Sequence, residues 1–99
     1  MEFSLSENIR RLRLLRGLNQ AQFAKLIGVT KQCVSNWEND NVLPSIEMLL
    51  KISDIFKVST DYLLGREKKA YLDISELTDE QMGHIALLVY DFAKLNSKK

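Results

Sequence analysis

A row of polar and basic side chains lies between residues 31 and 36. Four of its members share one side of an α-helix: Lys31, Gln32, Ser35 and Asn36. Val34 and Trp37 fall on the opposite, apolar side. A glutamine amide matches the adjacent donor and acceptor of adenine in the major groove, and a lysine ammonium reaches the acceptors of guanine. The row therefore has the chemistry to read base edges, although a solvated helix face is the simpler reading of these residues taken alone.

Two short helices would have to position this row. Asn19 suits the N-cap of a helix over residues 20–27, which Gly28 would end, and Thr30 suits the N-cap of a helix from Lys31 to about Asn39. A helix of about two turns is not stable alone, so neighbouring helices must hold it by packing. Residues 18–44 thus predict two helices around a tight turn.

Three further helices are predicted around that pair. Ser4 or Ser6 caps a first helix to about Arg16, Ser45 caps a fourth helix, and Ser59 opens a short fifth helix. In the fourth helix a wide apolar stripe is expected to face the other helices: Ile46, Leu49, Leu50, Ile52 and Ile55 or Phe56.

The last third of the chain has a different pattern. Residues 66–77 begin with a charged run and then lack a helical period, which predicts a linker. Thr78 and Gln81 match a capping box for a helix over residues 78–95. Its apolar positions extend over more than half of the helix circumference. We therefore expect the DNA-binding domain to pack on one side of this helix and a second chain to pack on the other. The expected dimer interface comprises Met82, Ile85, Ala86, Leu88, Val89 and Phe92.

Bulk properties limit the class of protein. Ninety-nine residues fit one compact core, and the net charge of +1 means that any affinity for nucleic acid must come from where charges are placed. Cys33 has no partner for a disulfide and, with His84 as the only histidine, leaves no metal site to expect. The sequence shows no catalytic nucleophile with a general base and no glycine-rich phosphate loop. It also shows no signal peptide and no apolar run long enough to cross a membrane. We expect a cytoplasmic protein that is not an enzyme and has no cofactor.

Several short motifs carry a resemblance to a known family. Residues 18–24 read LNQAQFA, residues 28–32 GVTKQ, residues 34–38 VSNWE, residues 43–45 LPS, and residues 59–65 STDYLLG. In this order and spacing they resemble the helix-turn-helix of Cro and the phage repressors, the Xre family, over residues 5–65. The resemblance implies a five-helix lambda-repressor-like domain. Together with the pattern of the last third, it predicts an all-α protein with a DNA-binding domain in residues 1–65, the linker 66–77 and a dimerisation helix in 78–95.

The resemblance also implies roles for individual residues. The third helix would enter the major groove of double-stranded DNA, in a homodimer whose half-sites lie about 34 Å apart. Base-reading positions would fall on Lys31, Gln32 and Asn36, with Cys33 and Ser35 at the edge of the contact. Phosphate contacts would come from Gln20 and Asn39, and an ion pair would join Arg13 to Glu38.

The chain departs from the family pattern after the third helix. Asp40 and Asn41 stand where the family usually has glycine and a basic residue, and an acidic group repels phosphate. We therefore expect tight binding only from a dimer, acting as a sequence-specific repressor on a palindromic operator. The near-neutral charge leaves an alternative open, a protein-interaction module or antitoxin-like protein whose C-terminal helix binds a partner. A redox role for Cys33 is a further open reading.

Overall fold

Six α-helices make up the described part of the chain. The computed structural model describes residues 4–67 and 73–97, and the middle of the predicted linker, residues 68–72, lies outside the described residues together with 1–3 and 98–99. The helices are α1 Leu5–Leu15, α2 Gln20–Ile27, α3 Lys31–Glu38, α4 Ile46–Phe56, α5 Thr60–Leu63 and α6 Asp79–Ser97. Within these ranges no strand occurs, and the predicted all-α fold of five helices followed by a C-terminal helix is confirmed.

Side-chain caps set the starts of the first five helices. In each case a hydroxyl or amide oxygen accepts from a backbone amide of the first turn, and the capping residues are Ser4, Asn19, Thr30, Ser45 and Ser59. At α6 the predicted capping box is present: Thr78 Oγ1 accepts from Gln81 N at 3.2 Å and Gln81 Oε1 accepts from Thr78 N at 3.1 Å.

One hydrophobic core joins the first five helices. Its buried members are Ile9, Phe23, Ala24, Ile27, Val34, Trp37, Ile52, Phe56, Val58 and Leu63. Phe23 of α2 stacks on Phe56 of α4 with ring centroids 5.3 Å apart. Asn8 ties α1 to α5, because its side-chain amide donates to the carbonyls of Tyr62 and Leu63. Burying one such apolar side chain stabilises the fold by about 1.5–3 kcal/mol, so this core dominates the stability.

The wide stripe predicted for α4 is wrong at two positions. Ile52 and Phe56 are buried and Leu49 and Ile55 are partly buried, but Ile46 and Leu50 are exposed. A helix on the surface of a small domain buries only the arc that faces its neighbours, and these two residues lie outside that arc. Lys57 then ends α4 in the left-handed conformation, with φ at 57°.

The last helix is not part of the core. Every residue of α6 is exposed, and its least exposed apolar side chains, Met82 and Ile85, keep 39% and 40% of their surface. The expectation that the domain would cover one side of this helix is therefore wrong for the described residues. The segment before α6 does contact the domain, since Asp73 N donates to the Lys57 carbonyl at 3.1 Å and Lys57 Nζ lies 3.7 Å from Glu76 Oε2.

Candidate nucleic-acid interface

The turn between α2 and α3 fixes the direction of α3. Gly28 adopts a φ of 87° and its N–H donates to the Ala24 carbonyl at 2.8 Å, which ends α2 in a conformation that favours glycine. Val29 follows, partly buried against the core, and Thr30 then accepts from Cys33 N at 3.1 Å to start α3. Three residues thus connect α2 to α3, and the two helices pack against each other.

Burial of one side of α3 decides which residues face outward. Val34 and Trp37 are buried in the core with 0% and 4% of their surface exposed. Lys31 and Gln32 are exposed on the other side, and Ser35 and Asn36 of the same helix are partly exposed. The structure therefore brings the four residues of the predicted reading row onto one accessible face of α3.

Two amides on this face are already aligned. Gln32 Nε2 donates to Asn36 Oδ1 at 3.1 Å, one helical turn further on. That bond leaves the Gln32 side-chain oxygen as an acceptor and the Asn36 side-chain nitrogen as a donor. An acceptor beside a donor is the arrangement that the major-groove edge of adenine complements.

Cys33 lies differently from the other members of the predicted site. Its side chain is partly buried and packs against the hydrophobic core. It thus stands at the border between the core and the accessible face of α3. Ser35 has a neighbour from the following loop, because its hydroxyl accepts from Asn39 Nδ2 at 3.2 Å.

An ion pair anchors α3 from behind. Arg13 Nε lies 2.6 Å from Glu38 Oε2 and Arg13 Nη2 donates to Glu38 Oε1 at 2.9 Å, in the bidentate geometry of strong arginine–carboxylate pairs. Only 8% and 3% of the two side chains is exposed. Arg13 Nη1 also donates to the Leu18 carbonyl at 2.8 Å. The pair therefore connects α1, the turn before α2 and the end of α3.

The two predicted phosphate-binding residues are held by the same framework. Gln20 Nε2 donates to Glu38 Oε1 at 3.2 Å, so the side chain at the start of α2 is oriented by the buried ion pair. Asn39 caps the C-terminal end of α3 and is exposed. Each amide keeps a second N–H for a further acceptor. The sequence did not reveal the bond from Gln20 to Glu38, because nothing in either local pattern specifies their side-chain contact.

The loop after α3 carries an acidic residue in an unusual conformation. Asp40 is exposed and has a φ of 59°, in the left-handed region that favours glycine. The following amide closes the turn, since Asn41 N donates to the Asn36 carbonyl at 2.9 Å. The loop thus places an exposed carboxylate two residues after the end of α3.

The part of the chain that the structure describes shows neither a metal site nor a membrane span. There, no group of three or more histidine, cysteine, aspartate or glutamate side chains is placed to hold a metal ion. None of the described helices is long and apolar enough to cross a membrane. The six residues predicted for a dimer interface all lie exposed on α6.

The family model and the similar proteins identify the same family, the helix-turn-helix proteins. The family described as Helix-turn-helix matches residues 9–63, more than half of the chain. The transcriptional regulator ImmR of Bacillus subtilis is 31% identical over 77 residues, which is 78% of this chain. The same match covers 61% of ImmR, so the chain spans less than two thirds of the length of that relative.

Solved structures are similar to the same region. A crystal structure of the P22 c2 repressor in complex with a synthetic operator superposes with a TM-score of 0.61 and 34% identity, over 66% of this chain and 98% of the repressor chain. A transcriptional regulator from Listeria innocua gives a TM-score of 0.62 at 26% identity, over 96% of this chain and 97% of the other. The second similarity extends past the first five helices.

Proposed function

Because the chain belongs to the helix-turn-helix family of DNA-binding transcription regulators, we propose that it is a cytoplasmic repressor that binds a palindromic operator as a dimer. The observation that carries this proposal is the accessible amide pair of Gln32 and Asn36 on a helix whose other side is locked into the core. The P22 c2 repressor binds a synthetic operator in its solved complex, which supports the same class of partner here.

Base reading is assigned to the accessible face of α3. Gln32 and Asn36 together offer an acceptor and a donor to one adenine, while Lys31 reaches guanine from the first turn of the helix. Ser35 and the half-buried Cys33 make the edge of the contact. The position of α3 supports this assignment, because the buried Trp37 and the Arg13–Glu38 ion pair fix the helix to the rest of the domain.

Phosphate contacts are assigned to the two flanking amides. Gln20 donates from the first turn of α2, where backbone N–H groups add a positive end of the helix dipole, and Asn39 donates from the end of α3. Neither residue is charged, and Asp40 nearby is acidic. We therefore expect few released counterions and a modest dependence of affinity on salt.

Dimerisation supplies the affinity that a neutral surface lacks. The proposal divides the chain into a DNA-binding domain in residues 1–65, a linker in 66–77 and a dimerisation helix in 78–95, with Met82, Ile85, Ala86, Leu88, Val89 and Phe92 at the interface. The exposure of all six side chains supports it, because soluble proteins rarely leave so large an apolar surface uncovered. Two domains joined in this way bind half-sites about 34 Å apart.

Selection from a random pool of double-stranded oligonucleotides tests the function. The purified chain should enrich a palindrome of two half-sites one helical turn apart, and Gln32→Ala should lose the preference at one base pair of each half-site. Failure of the unmodified chain to enrich any sequence at low salt would contradict the proposal. A Glu47→Ala variant, changed at an exposed residue of α4 outside the proposed contacts, is the control and should enrich the same palindrome.

A second candidate is favoured by one observation, that every residue of α6 is exposed. In this candidate the helix binds a different protein, as in an antitoxin-like or interaction module, and DNA binding is secondary or lost. Light scattering separates the two. A monomer in solution together with failed enrichment supports the interaction module, whereas a dimer that enriches a palindrome supports the repressor.

A further inference from the structure

The two amides assigned to phosphate are held by acceptors of different kinds. Gln20 Nε2 donates to Glu38 Oε1 at 3.2 Å, and Asn39 Nδ2 donates to Ser35 Oγ at 3.2 Å. A carboxylate only accepts hydrogen bonds, whereas a serine hydroxyl both donates and accepts. If the Gln20 amide turned over, its oxygen would meet a carboxylate oxygen, but the hydroxyl of Ser35 can bond the Asn39 amide either way round. The partner therefore fixes the orientation of the amide only at Gln20.

The carboxylate that holds Gln20 is itself fixed. Only 3% of the Glu38 side chain is exposed, Arg13 Nε lies 2.6 Å from its Oε2, and Arg13 Nη2 donates to its Oε1 at 2.9 Å. Oε1 is the oxygen that also accepts from Gln20. Hydrogen bonds to an ionised group are roughly twice as strong as those between neutral groups. Gln20 is thus bonded to a charged acceptor that has no freedom to move away.

The same ion pair holds the backbone from which Gln20 projects. Arg13 Nη1 donates to the carbonyl of Leu18, two residues before Gln20, at 2.8 Å. Gln20 is partly buried in the first turn of α2, and the second N–H of its amide remains for another acceptor. A side chain that is ordered before binding loses less freedom when it binds, which changes affinity by about 2- to 12-fold for one side chain.

We propose that Glu38 is a positioning residue for DNA binding, which acts through Gln20 by holding its amide ready to donate to a phosphate. This role is additional to the anchoring of α3. It rests on the proposed function, because it requires DNA as the partner of Gln20. Phosphates carry no sequence information, so the contribution of Glu38 through Gln20 is the same on every duplex.

Removal of both members of the ion pair tests this role without leaving a buried charge. Arg13→Met together with Glu38→Met replaces the pair by apolar side chains of similar volume, which is often tolerated, whereas removal of one partner is strongly destabilising. The pair is removed from the full chain with Gln20 and from the full chain with Gln20→Met, which lacks the amide. All four chains are titrated with the selected operator and a scrambled duplex, below the lowest melting temperature among them.

The effect of removing the pair should depend on Gln20. With Gln20 present, binding should weaken by about 2- to 12-fold for each bound domain, by the same factor on both duplexes. With Gln20→Met, removal of the pair should cause no further loss. Equal loss in both backgrounds, or no loss with Gln20 present, would overturn the proposal. A larger loss on the operator than on the scrambled duplex would also overturn it, because the pair would then act on base reading.

The unmodified chain and a matched control complete the titration. Glu47→Met together with Lys51→Met removes one acidic and one basic side chain at exposed positions of α4, and it should leave binding unchanged in both backgrounds. A loss from this control equal to that from the ion pair would overturn the role of Glu38. Failure of the unmodified chain to bind any duplex would instead refute the proposed function.

Relaxation of side-chain amide nitrogen nuclei gives a second readout, which needs no substitution. Before DNA is added, the Gln20 amide should be rigid, with an order parameter of about 0.85 that DNA leaves unchanged. The Asn39 amide, which is exposed and bonded to a neutral hydroxyl, should be more mobile in the free chain and become rigid on DNA. A Gln20 order parameter below about 0.6 in the free chain would overturn the proposal, whether or not the variants fold.

Discussion

The first five helices and α6 contain similar apolar residues, but only the first five helices bury them in a core. In the domain, ten apolar side chains meet in one core and leave a polar face on α3. In α6 a longer apolar pattern joins no buried core within the described residues and stays exposed. The difference shows that periodic apolar residues indicate a helix with an interface, but they do not indicate whether the interface lies within the chain or between chains.

The polar groups of the first five helices and of α6 differ in burial as the apolar groups do. The domain buries Arg13 and pairs it with Glu38, so the polar network has a defined geometry that only the native packing satisfies. The polar residues of α6 are all exposed to solvent. We therefore expect substitutions in the domain to change unfolding and substitutions in α6 to change association.

Matched phenylalanine substitutions should show the largest contrast. Phe23→Ala removes a fully buried ring that stacks on Phe56 and should cost about 3–5 kcal/mol, lowering the melting temperature by well over 10 °C. Phe92→Ala removes a ring that is 60% exposed and should leave the unfolding of the dilute domain nearly unchanged while weakening the dimer. Calorimetry and sedimentation measure the two effects. Equal loss of melting temperature in both variants would remove the distinction.

Neighbouring acidic residues should behave almost as differently. Glu38→Ala leaves Arg13 buried without its carboxylate and should destabilise the domain by about 3–5 kcal/mol. Asp40→Ala alters an exposed loop residue and should cost about 1 kcal/mol or less. Urea denaturation gives both free energies of unfolding. Similar values for the two variants would mean that the ion pair does not hold α3.

Much of the domain was predictable because its signals are local. The caps at Asn19 and Thr30 and the glycine at position 28 each specify a helix end within a few residues, and the core face of α3 follows from its period. Features that depend on packing were not predictable in this way. Lys57 ends α4 without a glycine signal, and Ile46 and Leu50 are exposed despite fitting the apolar period.

The candidate site also has some features that the sequence predicted and others that depend on packing. Its accessible face on α3 followed from the sequence period, and the ion pair of Arg13 with Glu38 was expected from the family resemblance. The third contact of Arg13, with the Leu18 carbonyl, and the bond from Gln20 to Glu38 depend on tertiary placement that no local pattern specifies. The assignment of base and phosphate contacts remains a prediction.

Two glutamines should separate base reading from phosphate binding. Gln32→Ala should weaken binding to the selected operator by about 1–3 kcal/mol and relax the preference at one base pair, without changing the melting temperature. Gln20→Ala should weaken binding to all sequences alike. Competition titrations with operator and scrambled duplexes measure this. A uniform loss from Gln32→Ala would place that residue on the backbone instead.

Acid unfolding should show the smallest difference between the domain and the segment before α6. Hydrogen bonds from the Ser4 backbone and hydroxyl lower the pKa of Glu7 below its ordinary 4.5, so its ionised form stabilises the domain above that pH and the benefit is lost as pH falls through the lowered pKa. Glu7→Gln keeps the capping box but does not ionise, so it should flatten the acid limb of stability.

Asp73 provides the comparison from the other region. The Ser75 hydroxyl and backbone lower its pKa as well, but it lies in the segment before α6. Asp73→Asn should therefore leave the acid unfolding of the domain as it is. Urea denaturation at a series of pH values below 6 measures both variants. Equal changes from the two substitutions would mean that the segment before α6 unfolds together with the domain.

We propose that the first five helices recognise the operator and that the pairing of α6 supplies the affinity. Titration of the selected operator with the full chain and with residues 1–67 tests it most directly, because the shorter chain keeps the hydrogen bond from the hydroxyl of Ser59, the N-cap of α5, to Glu67. We predict the same base preference in both and a loss of about 10²–10⁴-fold in affinity for the shorter chain. Equal affinity of the two chains would contradict the claim.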